Sequence, residues 1–199
     1  MPEQGPDDNT RDEQPSPDVE RKPSPRIYVA SLADYNEGRL HGRWIDADQS
    51  AEELGDAVQE MLAGSPLPGA EEWAIHDYEG FGPLRLDEFE SLDDVAKVAA
   101  GIARYGAVFA AWADHVGMDS ELLDGFTDAY LGEYDSGEAF AEDALGESGV
   151  IEKVLGQLPE SLRPYVNVDY EGYFDDLVTN GEINAIERPH GSIYVFRIW

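Results

Sequence analysis

Acidic side chains outnumber basic ones by more than three to one, and any fold of this chain must keep them in contact with water. The 199 residues hold 43 Asp and Glu against 13 Lys and Arg, a formal net charge of −30. Unpaired carboxylates are costly to bury, and an excess of one charge disfavours a compact state. Nucleic acid, anionic lipid and phosphate-rich ligands are poor partners for such a surface. A basic surface is a good partner, and the commonest large basic surface in a cell is a DNA-binding groove.

The size of the charge is compatible with that kind of partner. Duplex DNA carries one charge per about 1.7 Å of axis, so a charge of −30 corresponds to roughly 50 Å of duplex. A dimer would correspond to roughly 100 Å. These lengths are upper bounds, because the acids do not all share one face. They place the chain in the range where it could fill a DNA channel.

The acids are concentrated where the chain has no bases. Between Arg104 and Lys153, 48 residues include no Lys or Arg and hold twelve acids. A second base-free run, between Arg43 and Arg85, holds ten acids. The twelve acids of the first run are Asp114, Asp119, Glu121, Asp124, Asp128, Glu133, Asp135, Glu138, Glu142, Asp143, Glu147 and Glu152. We take the first eleven, up to Glu147, as the candidate surface that imitates DNA.

The spacing of these acids predicts how they are presented. Two groups recur at intervals of three and four residues, which predicts that each group lies on one helix face. The groups are Glu121, Asp124 and Asp128, and Asp135, Glu138 and Glu142. Carboxylates one helical turn apart are about 5–6 Å from each other, the same order as phosphates on a DNA strand, and each like-charge pair costs about 0.2–0.5 kcal/mol. From charge alone, mimicry of DNA and generic acidity, for solubility or a salt-rich cytoplasm, both stay open.

The sequence lacks the motifs of catalysis and metal binding. Without cysteine there is no disulfide, thiolate metal site or cysteine nucleophile. Gly-x-Ser-x-Gly, Walker and Gly-x-Gly-x-x-Gly motifs are absent, and the stretch from Asp46 has Ala51 and Ala57 where a calcium loop needs Gly and Glu. The histidines are far apart in the chain: His41, His76, His115 and His190. We therefore predict no enzymatic activity, no cofactor and no metal site. The alternatives are an acidic scaffold whose partner is not a DNA-binding enzyme, and a divalent-metal hydrolase.

The first half of the chain predicts a small sheet followed by helices. Residues 1–25 contain six of the twelve prolines and are predicted to be a disordered tail. A helix with a capping box at Ser50 and Glu53 is predicted to run to about residue 62, in an α+β domain over 26–88. The strands predicted for that domain cover 27–32, 40–45 and 72–78. Helical periodicity begins at Ser91 and predicts two helices, then a third over 122–130, in a helical middle domain over 89–131.

The remainder predicts a second α+β unit. A helix capped by Ser136, another from about Tyr170 and a hairpin over 182–186 and 192–198 make a C-terminal domain over 132–199. The Asp-Tyr-Glu-Gly at 77–80 recurs at 169–172, by duplication or by chance. The predicted fold class is therefore α+β and elongated. No apolar run approaches the roughly 18 residues of a membrane span, and the N-terminus has no apolar signal-peptide core, so we expect a cytoplasmic location.

Three segments resemble a known family. Residues 25–32 (Pro-Arg-Ile-Tyr-Val-Ala-Ser-Leu), followed by Tyr-Asn-Glu-Gly at 35–38 and Trp-Ile-Asp at 44–46, are similar to the start of ArdA antirestriction proteins. Residues 130–142 resemble the acidic antirestriction motif of that family, and Tyr-Val-Phe-Arg at 194–197 is similar to its ending. The resemblance covers residues 25–199, and the proline-rich start departs from it.

The resemblance implies an elongated homodimer of three small domains, without direct nucleic-acid or membrane binding. Such proteins mimic the DNA bound by type I restriction-modification enzymes and block them competitively. They come from plasmids, transposons and phages and act in the host bacterial cytoplasm. The motif positions carried over are Leu131, Gly132, Tyr134, Ser136, Phe140 and Ala141, with the acids Glu133, Asp135, Glu138 and Glu142. We assign the apolar members to packing or to the dimer contact, and the acids to imitation of phosphates.

Overall fold

The computed structural model describes residues 24–198, an α+β chain with two three-stranded antiparallel sheets. The predicted disordered tail lies outside the described residues, apart from its last two positions. Of these, Pro25 is buried, and its carbonyl accepts a hydrogen bond of 2.8 Å from the backbone N–H of Ala47. The ordered chain therefore extends at least to Pro25, because this proline is tied to the loop after the second strand.

The first sheet confirms the three strands predicted for the N-terminal part. Its strands are β1 (Arg26–Ser31), β2 (Gly42–Asp46) and β3 (Trp73–Glu79), in the order β2-β1-β3. A short helix that the sequence did not predict, α1 (Leu32–Asn36), follows β1 directly. It begins there because the Ser31 hydroxyl accepts a hydrogen bond from the backbone N–H of Asp34.

The helix α2 (Ala51–Ala63) packs on this sheet and begins at the predicted capping box. The Ser50 hydroxyl accepts a hydrogen bond from the backbone N–H of Glu53, and the Glu53 carboxylate accepts one from the backbone N–H of Ser50. These bonds satisfy two N–H groups that have no partner inside the helix. The residues that α2 buries are Leu54, Val58, Met61 and Leu62, the face predicted from periodicity.

The middle of the chain is helical, but its third predicted helix is wrong. The elements observed are α3 (Leu92–Tyr105), α4 (Ala107–Val116), α5 (Ser120–Asp124) and α6 (Phe126–Ala129). Gly125 separates α5 from α6, and Tyr130 leaves the helical path to pair with Phe196 in the second sheet. Glycine is a poor helix former, and the pairing with a distant strand outweighs the local periodicity.

The second sheet contains the predicted C-terminal hairpin and one strand that the sequence did not predict. Its strands are β4 (Tyr130–Tyr134), β5 (Ile183–Glu187) and β6 (Ile193–Arg197), in the order β4-β6-β5. The helices around it are α7 (Gly137–Ser148), α8 (Val150–Gln157) and α9 (Tyr170–Thr179), with a 3-10 turn at Arg163–Tyr165. The predicted helices at Ser136 and Tyr170 are confirmed, whereas α8 was not predicted.

The side chains of β6 alternate between two hydrophobic clusters. Tyr194 and Phe196 belong to the larger cluster, which also contains residues of the first sheet and of α2 to α6. Ile193 and Val195 belong to a smaller cluster with Phe140 and Ile183. Successive residues of a strand point to opposite faces of its sheet, so one strand contributes to both clusters. Contact between the helices and the second sheet includes the Trp112 ring stacked on Phe196, with centroids 4.8 Å apart.

The recurring Asp-Tyr-Glu-Gly has different local structures at its two positions. At 77–80 its first three residues are part of strand β3. At 169–172 the Asp169 side chain caps α9 by accepting a hydrogen bond from the backbone N–H of Gly172. Four identical residues thus adopt an extended conformation in one place and begin a helix in the other.

Candidate acidic binding surface

All twelve acids between Arg104 and Lys153 are exposed to solvent. They are distributed over the segment from α4 to α8. Among residues 24–198, every Asp and Glu is exposed except Asp34, which is buried, and Glu90 and Asp94, which are partly buried. Exposure is the condition that a carboxylate must meet to contact a basic partner without a large desolvation cost.

The one buried acid of the described chain has a structural partner. Asp34 accepts a hydrogen bond of 2.6 Å from the Ser65 hydroxyl, which joins α1 to the loop after α2. Its other carboxylate oxygen, Oδ1, has no partner among the described residues. The Ser65 bond is the main cause that lowers the pKa of Asp34 below its usual value, ahead of smaller contributions from Ser31, His41 and Arg39. This acid stabilises the fold and does not contribute to the exposed surface.

Two acids of the candidate surface are neutralised from within the chain. Lys97 of α3 forms a salt bridge with Asp124, Nζ to Oδ1 2.8 Å, and also donates to the carbonyl and hydroxyl of Ser120. Arg188, in the turn between β5 and β6, forms a salt bridge with Glu133 of β4. These two carboxylates already have a cationic partner, so they are less available to a basic partner than the other acids.

Two further acids accept hydrogen bonds that hold local structure. Asp119 caps α5 by accepting from the backbone N–H groups of Glu121 and Leu122, at 3.0 and 3.1 Å. Asp143 accepts a bond of 3.2 Å from the Tyr134 hydroxyl. Burial of the phenol, and then this hydrogen bond, raise the pKa of Tyr134, so the hydroxyl stays a donor at neutral pH. Neither acid forms a salt bridge with a described residue.

The other candidate acids have no salt-bridge partner in the part of the chain that the structure describes. They are Asp114, Glu121, Asp128, Asp135, Glu138, Glu142 and Glu147. Their charge is not offset locally, so an external cation is the partner that would offset it.

The predicted arrangement on two helix faces is only partly correct. Glu138 and Glu142 are one turn apart on α7, but Asp135 precedes the N-cap residue Ser136 and lies outside the helix. Glu121 and Asp124 lie on α5, whereas Asp128 lies on α6 beyond Gly125. Intervals of three and four residues do not give one face when a capping residue or a break falls between them.

The helix α7 carries the densest group of these charges. Its twelve residues include four acids, Glu138, Glu142, Asp143 and Glu147, and no base. The pairs Glu138–Glu142 and Asp143–Glu147 each cost about 0.2–0.5 kcal/mol. Glu147 also lies in the last turn, where the helix dipole favours a cation. The dipole favours only Glu138, in the first turn, so most of the charge of α7 is unfavourable for the helix itself.

The residues of the antirestriction-like motif anchor and cap α7. Phe140 and Ala141 are buried within the chain, Leu131 packs against the same cluster, and the Tyr134 ring meets Phe140 edge to face at 5.1 Å. The apolar members thus make packing contacts inside the protein. Ser136 caps the helix by accepting a hydrogen bond of 3.1 Å from the backbone N–H of Ala139.

Two glycines of this region are required by close packing. Gly132 has a φ of +150° at an irregularity in the pairing of β4 with β6, and a Cβ there would lie 2.9 Å from the Tyr134 ring. A Cβ on Gly137 would lie 2.3 Å from the Phe174 ring of α9. Any side chain at either position would displace an aromatic residue that supports α7.

The cationic partners of the surface were missed by sequence reasoning. Arg188 is 55 residues from Glu133, and Lys97 contacts α5 from the opposite end of the helical region. No local pattern indicates such pairs, because they form only after β4 has paired with β6 and α5 has packed near α3. The strand β4 had a weak signal in Tyr130 and Tyr134, which favour strands.

The histidines do not form a site. His41 is bonded to the Met61 carbonyl at 2.7 Å, His76 meets the Tyr35 ring edge to face, and His115 contacts Asn184 at 2.9 Å. Within residues 24–198, no group of three His, Asp or Glu side chains converges on a position where a metal ion could bind. In the same range, no helix combines the length and the apolar character needed to cross a bilayer.

The comparison with known proteins gives one family. A family model described as Antirestriction protein (ArdA) matches residues 27–191, which is well over half of the chain. No curated protein matches it. The matched range contains the first sheet from Ile27 onward, the helical region and the whole acidic segment between Arg104 and Lys153.

Proposed function

The chain belongs to the ArdA family of antirestriction proteins, and we propose that it inhibits type I restriction-modification enzymes by occupying their DNA-binding groove. The observation that carries the proposal is the exposed, base-free acidic segment between Arg104 and Lys153, most of whose charge has no partner in the described chain. A groove built to bind phosphates offers the cations that this segment lacks.

The proposed mechanism is competition for one basic surface. Carboxylates on α4 to α7 accept hydrogen bonds and ion pairs from lysines and arginines that otherwise contact DNA phosphates. The acids are held on short elements that pack on the second sheet or on the helical core, so little ordering entropy is lost on binding. No covalent step is required, and the protein leaves the groove unchanged.

The proposal predicts a characteristic dependence on salt. Affinity of a protein for duplex DNA falls steeply with salt, with a slope of about −0.9 per phosphate contacted, because condensed counterions are released. A folded polypeptide has a lower charge density and no such condensed layer. We therefore expect binding of this protein to weaken with salt, but with a shallower slope than binding of DNA to the same enzyme. Affinity that does not change between low and high salt would contradict an ionic interface.

The direct test is a restriction assay with increasing amounts of unmodified DNA that the enzyme binds but cannot cleave. That DNA should itself inhibit cleavage and should displace the protein from the enzyme, because the two are expected to compete for one site and their binding should be mutually exclusive. A ternary complex of enzyme, DNA and protein would refute the groove as the binding site. It would favour the acidic-scaffold alternative, in which added DNA leaves the interaction unchanged.

Several finer features are part of the same proposal and rest on the family resemblance. We propose that the protein is a homodimer of three-domain chains, has no catalytic activity, and acts in the cytoplasm of a bacterium that hosts a mobile element or phage. Sedimentation of the purified chain tests the dimer. Calorimetric titration with magnesium, manganese and calcium tests the metal-hydrolase alternative, which requires a tight stoichiometric site.

A further inference from the structure

A shallow cleft beside the first sheet has a composition unlike that of the acidic segment. Its volume is about 400 Å³. It is lined by Leu32, Glu71, Glu72, Trp73 and Phe89. Phe89 is 71% exposed, which for a single large apolar residue on a surface is unremarkable. Here, however, the exposed ring shares a cleft with a tryptophan and two carboxylates.

The backbone around the cleft is fixed by two hydrogen bonds. The Leu32 N–H donates to the carbonyl of Glu72 at 3.0 Å, which holds the start of α1 beside the start of β3. The Ile75 N–H donates to the carbonyl of Glu88 at 2.8 Å, which holds the residue before Phe89 alongside the same strand. The cleft therefore exists before any ligand enters, and the cost of ordering its backbone has already been met by the fold.

The charge of the cleft selects the sign of its ligand. Both polar lining residues, Glu71 and Glu72, are exposed acids, and no Lys or Arg is among the lining residues. Neither acid forms a salt bridge with another residue of the described range. They also belong to the base-free run between Arg43 and Arg85. An anion would be repelled from this cleft, and a cation would be attracted.

The aromatic walls select among cations. A guanidinium group is flat, weakly hydrated and able to stack on an aromatic face while it donates to carboxylates from its edge. An ammonium group is a strongly hydrated point charge that gains less from the aromatic wall. We infer that the cleft formed by Leu32, Glu71, Glu72, Trp73 and Phe89 binds an arginine side chain of a partner protein.

The identity of the partner rests on the proposed function, but the chemistry of the cleft does not. A DNA-binding groove presents arginines, so an enzyme of that class can supply the side chain. This contact differs from the imitation of a DNA phosphate, because it uses aromatic side chains and a phosphate group offers no aromatic face. It would let the protein distinguish arginine from lysine on the enzyme surface, which the exposed acids between Arg104 and Lys153 do not do through charge alone.

The test uses the full chain and a small probe, so that no restriction enzyme is needed. Nitrogen-15 NMR spectra are recorded during titration with N-acetyl-arginine methylamide at constant ionic strength, and the Trp73 indole signal is identified with the variant Trp73→Phe. The citrulline analogue is a neutral isostere, and the lysine analogue tests the point charge. We expect the Trp73 signal to move with arginine, to stay in place with citrulline, and to report binding of lysine about 2- to 5-fold weaker.

Matched variants identify which side chains cause the response to arginine. Glu71→Gln with Glu72→Gln should abolish the arginine response, whereas Glu52→Gln with Asp56→Asn removes the same charge from α2 and should preserve it. Phe89→Ala should weaken it, while Leu40→Ala, at a side chain 82% exposed, should not. An unmoved Trp73 signal, or equal responses to arginine and citrulline, would overturn the inference. Failure of restriction inhibition with an intact arginine response would instead count against the proposed function alone.

Discussion

Two helices of this protein have nearly the same composition and differ in what their acids do. Both α2 and α7 begin after a serine cap, contain four acids and lack a base. In α2, Glu53 completes the capping box and Glu60 forms a salt bridge of 2.9 Å with Arg43. In α7, none of the four acids forms a salt bridge with a described residue. Two acids of α2 thus stabilise the fold, whereas the charge of α7 is left for a partner to offset.

The two helices also differ in how firmly they are anchored. The buried residues of α2 are Leu54, Val58, Met61 and Leu62, in the larger cluster. Those of α7 are Phe140 and Ala141, of which Phe140 belongs to the smaller cluster. A helix with unfavourable charge and a small buried face depends strongly on each buried side chain. The comparison therefore predicts that α7 is sensitive to change in its packing and tolerant of change in its charge.

The largest effect is expected from Phe140→Ala. Truncation of a buried phenylalanine costs about 3–5 kcal/mol, and the smaller cluster has few side chains able to fill the space. We expect the free energy of unfolding to fall by that amount and the amide protons of α7 to lose protection from hydrogen exchange while those of α2 keep theirs. Leu40→Ala is the control at an exposed site. Uniform loss of protection over both helices would show that the two clusters unfold as one unit.

The next largest effect is expected on binding of a restriction enzyme, and it should distinguish α7 from α2. Two double variants each neutralise one exposed pair of acids that lie one helical turn apart. The α7 variant combines Glu138→Gln with Glu142→Gln, and the α2 variant combines Glu52→Gln with Asp56→Asn. Each change removes like-charge repulsion of about 0.2–0.5 kcal/mol, but it also neutralises an acid in the first turn, which the helix dipole favours by about 0.3–1 kcal/mol, so we expect only a small net change in stability for either helix. With about 0.2–1 kcal/mol for each exposed ion pair lost, we expect the α7 variant to bind a restriction enzyme roughly 2- to 30-fold more weakly.

The α2 variant should inhibit restriction as well as the unmodified protein. Equal loss of inhibition in both variants would mean that the binding surface includes the base-free run between Arg43 and Arg85. If neither variant loses inhibition, the binding surface does not depend on these acids of α7. Denaturant titration of both variants verifies that the comparison is made between folded proteins.

The sequence predicted what local chemistry determines. The capping box of α2, its apolar face and the strands of the first sheet follow from residues a few positions apart, and the structure confirms them. The strand β4 was missed because Gly132 interrupts the alternation, and its partner β6 lies far along the chain. For the same reason no local sequence pattern indicated the Lys97–Asp124 and Arg188–Glu133 pairs. Exposure of the acids was implied by their number, but which of them are neutralised depends on tertiary packing.

A smaller effect concerns the two serine caps. Ser50→Ala and Ser136→Ala each remove an acceptor for a backbone N–H, at a typical cost of about 1 kcal/mol. The loss should be greater at Ser50, because Glu53 then loses its reciprocal hydroxyl partner, whereas α7 has Ala139 at the equivalent position. Thermal unfolding of the two variants measures the difference. A larger loss at Ser136 would mean that α7 depends on its cap because its packing contributes so little.

The smallest effect is a dependence on pH at the N-terminal cap of α2. Hydrogen bonds from the backbone and hydroxyl of Ser50 hold the pKa of Glu53 below its usual value of 4.5. A carboxyl with a lowered pKa in the folded state stabilises the protein above its unfolded pKa, and that contribution is lost as the pH falls through the folded value. The difference in unfolding free energy between the unmodified protein and Glu53→Gln should therefore be constant near neutrality and shrink below pH 4.5. Because the difference is taken between two proteins, relief of the general charge repulsion at low pH cancels. A difference that does not change as the pH falls below 4.5 would contradict this role of Glu53.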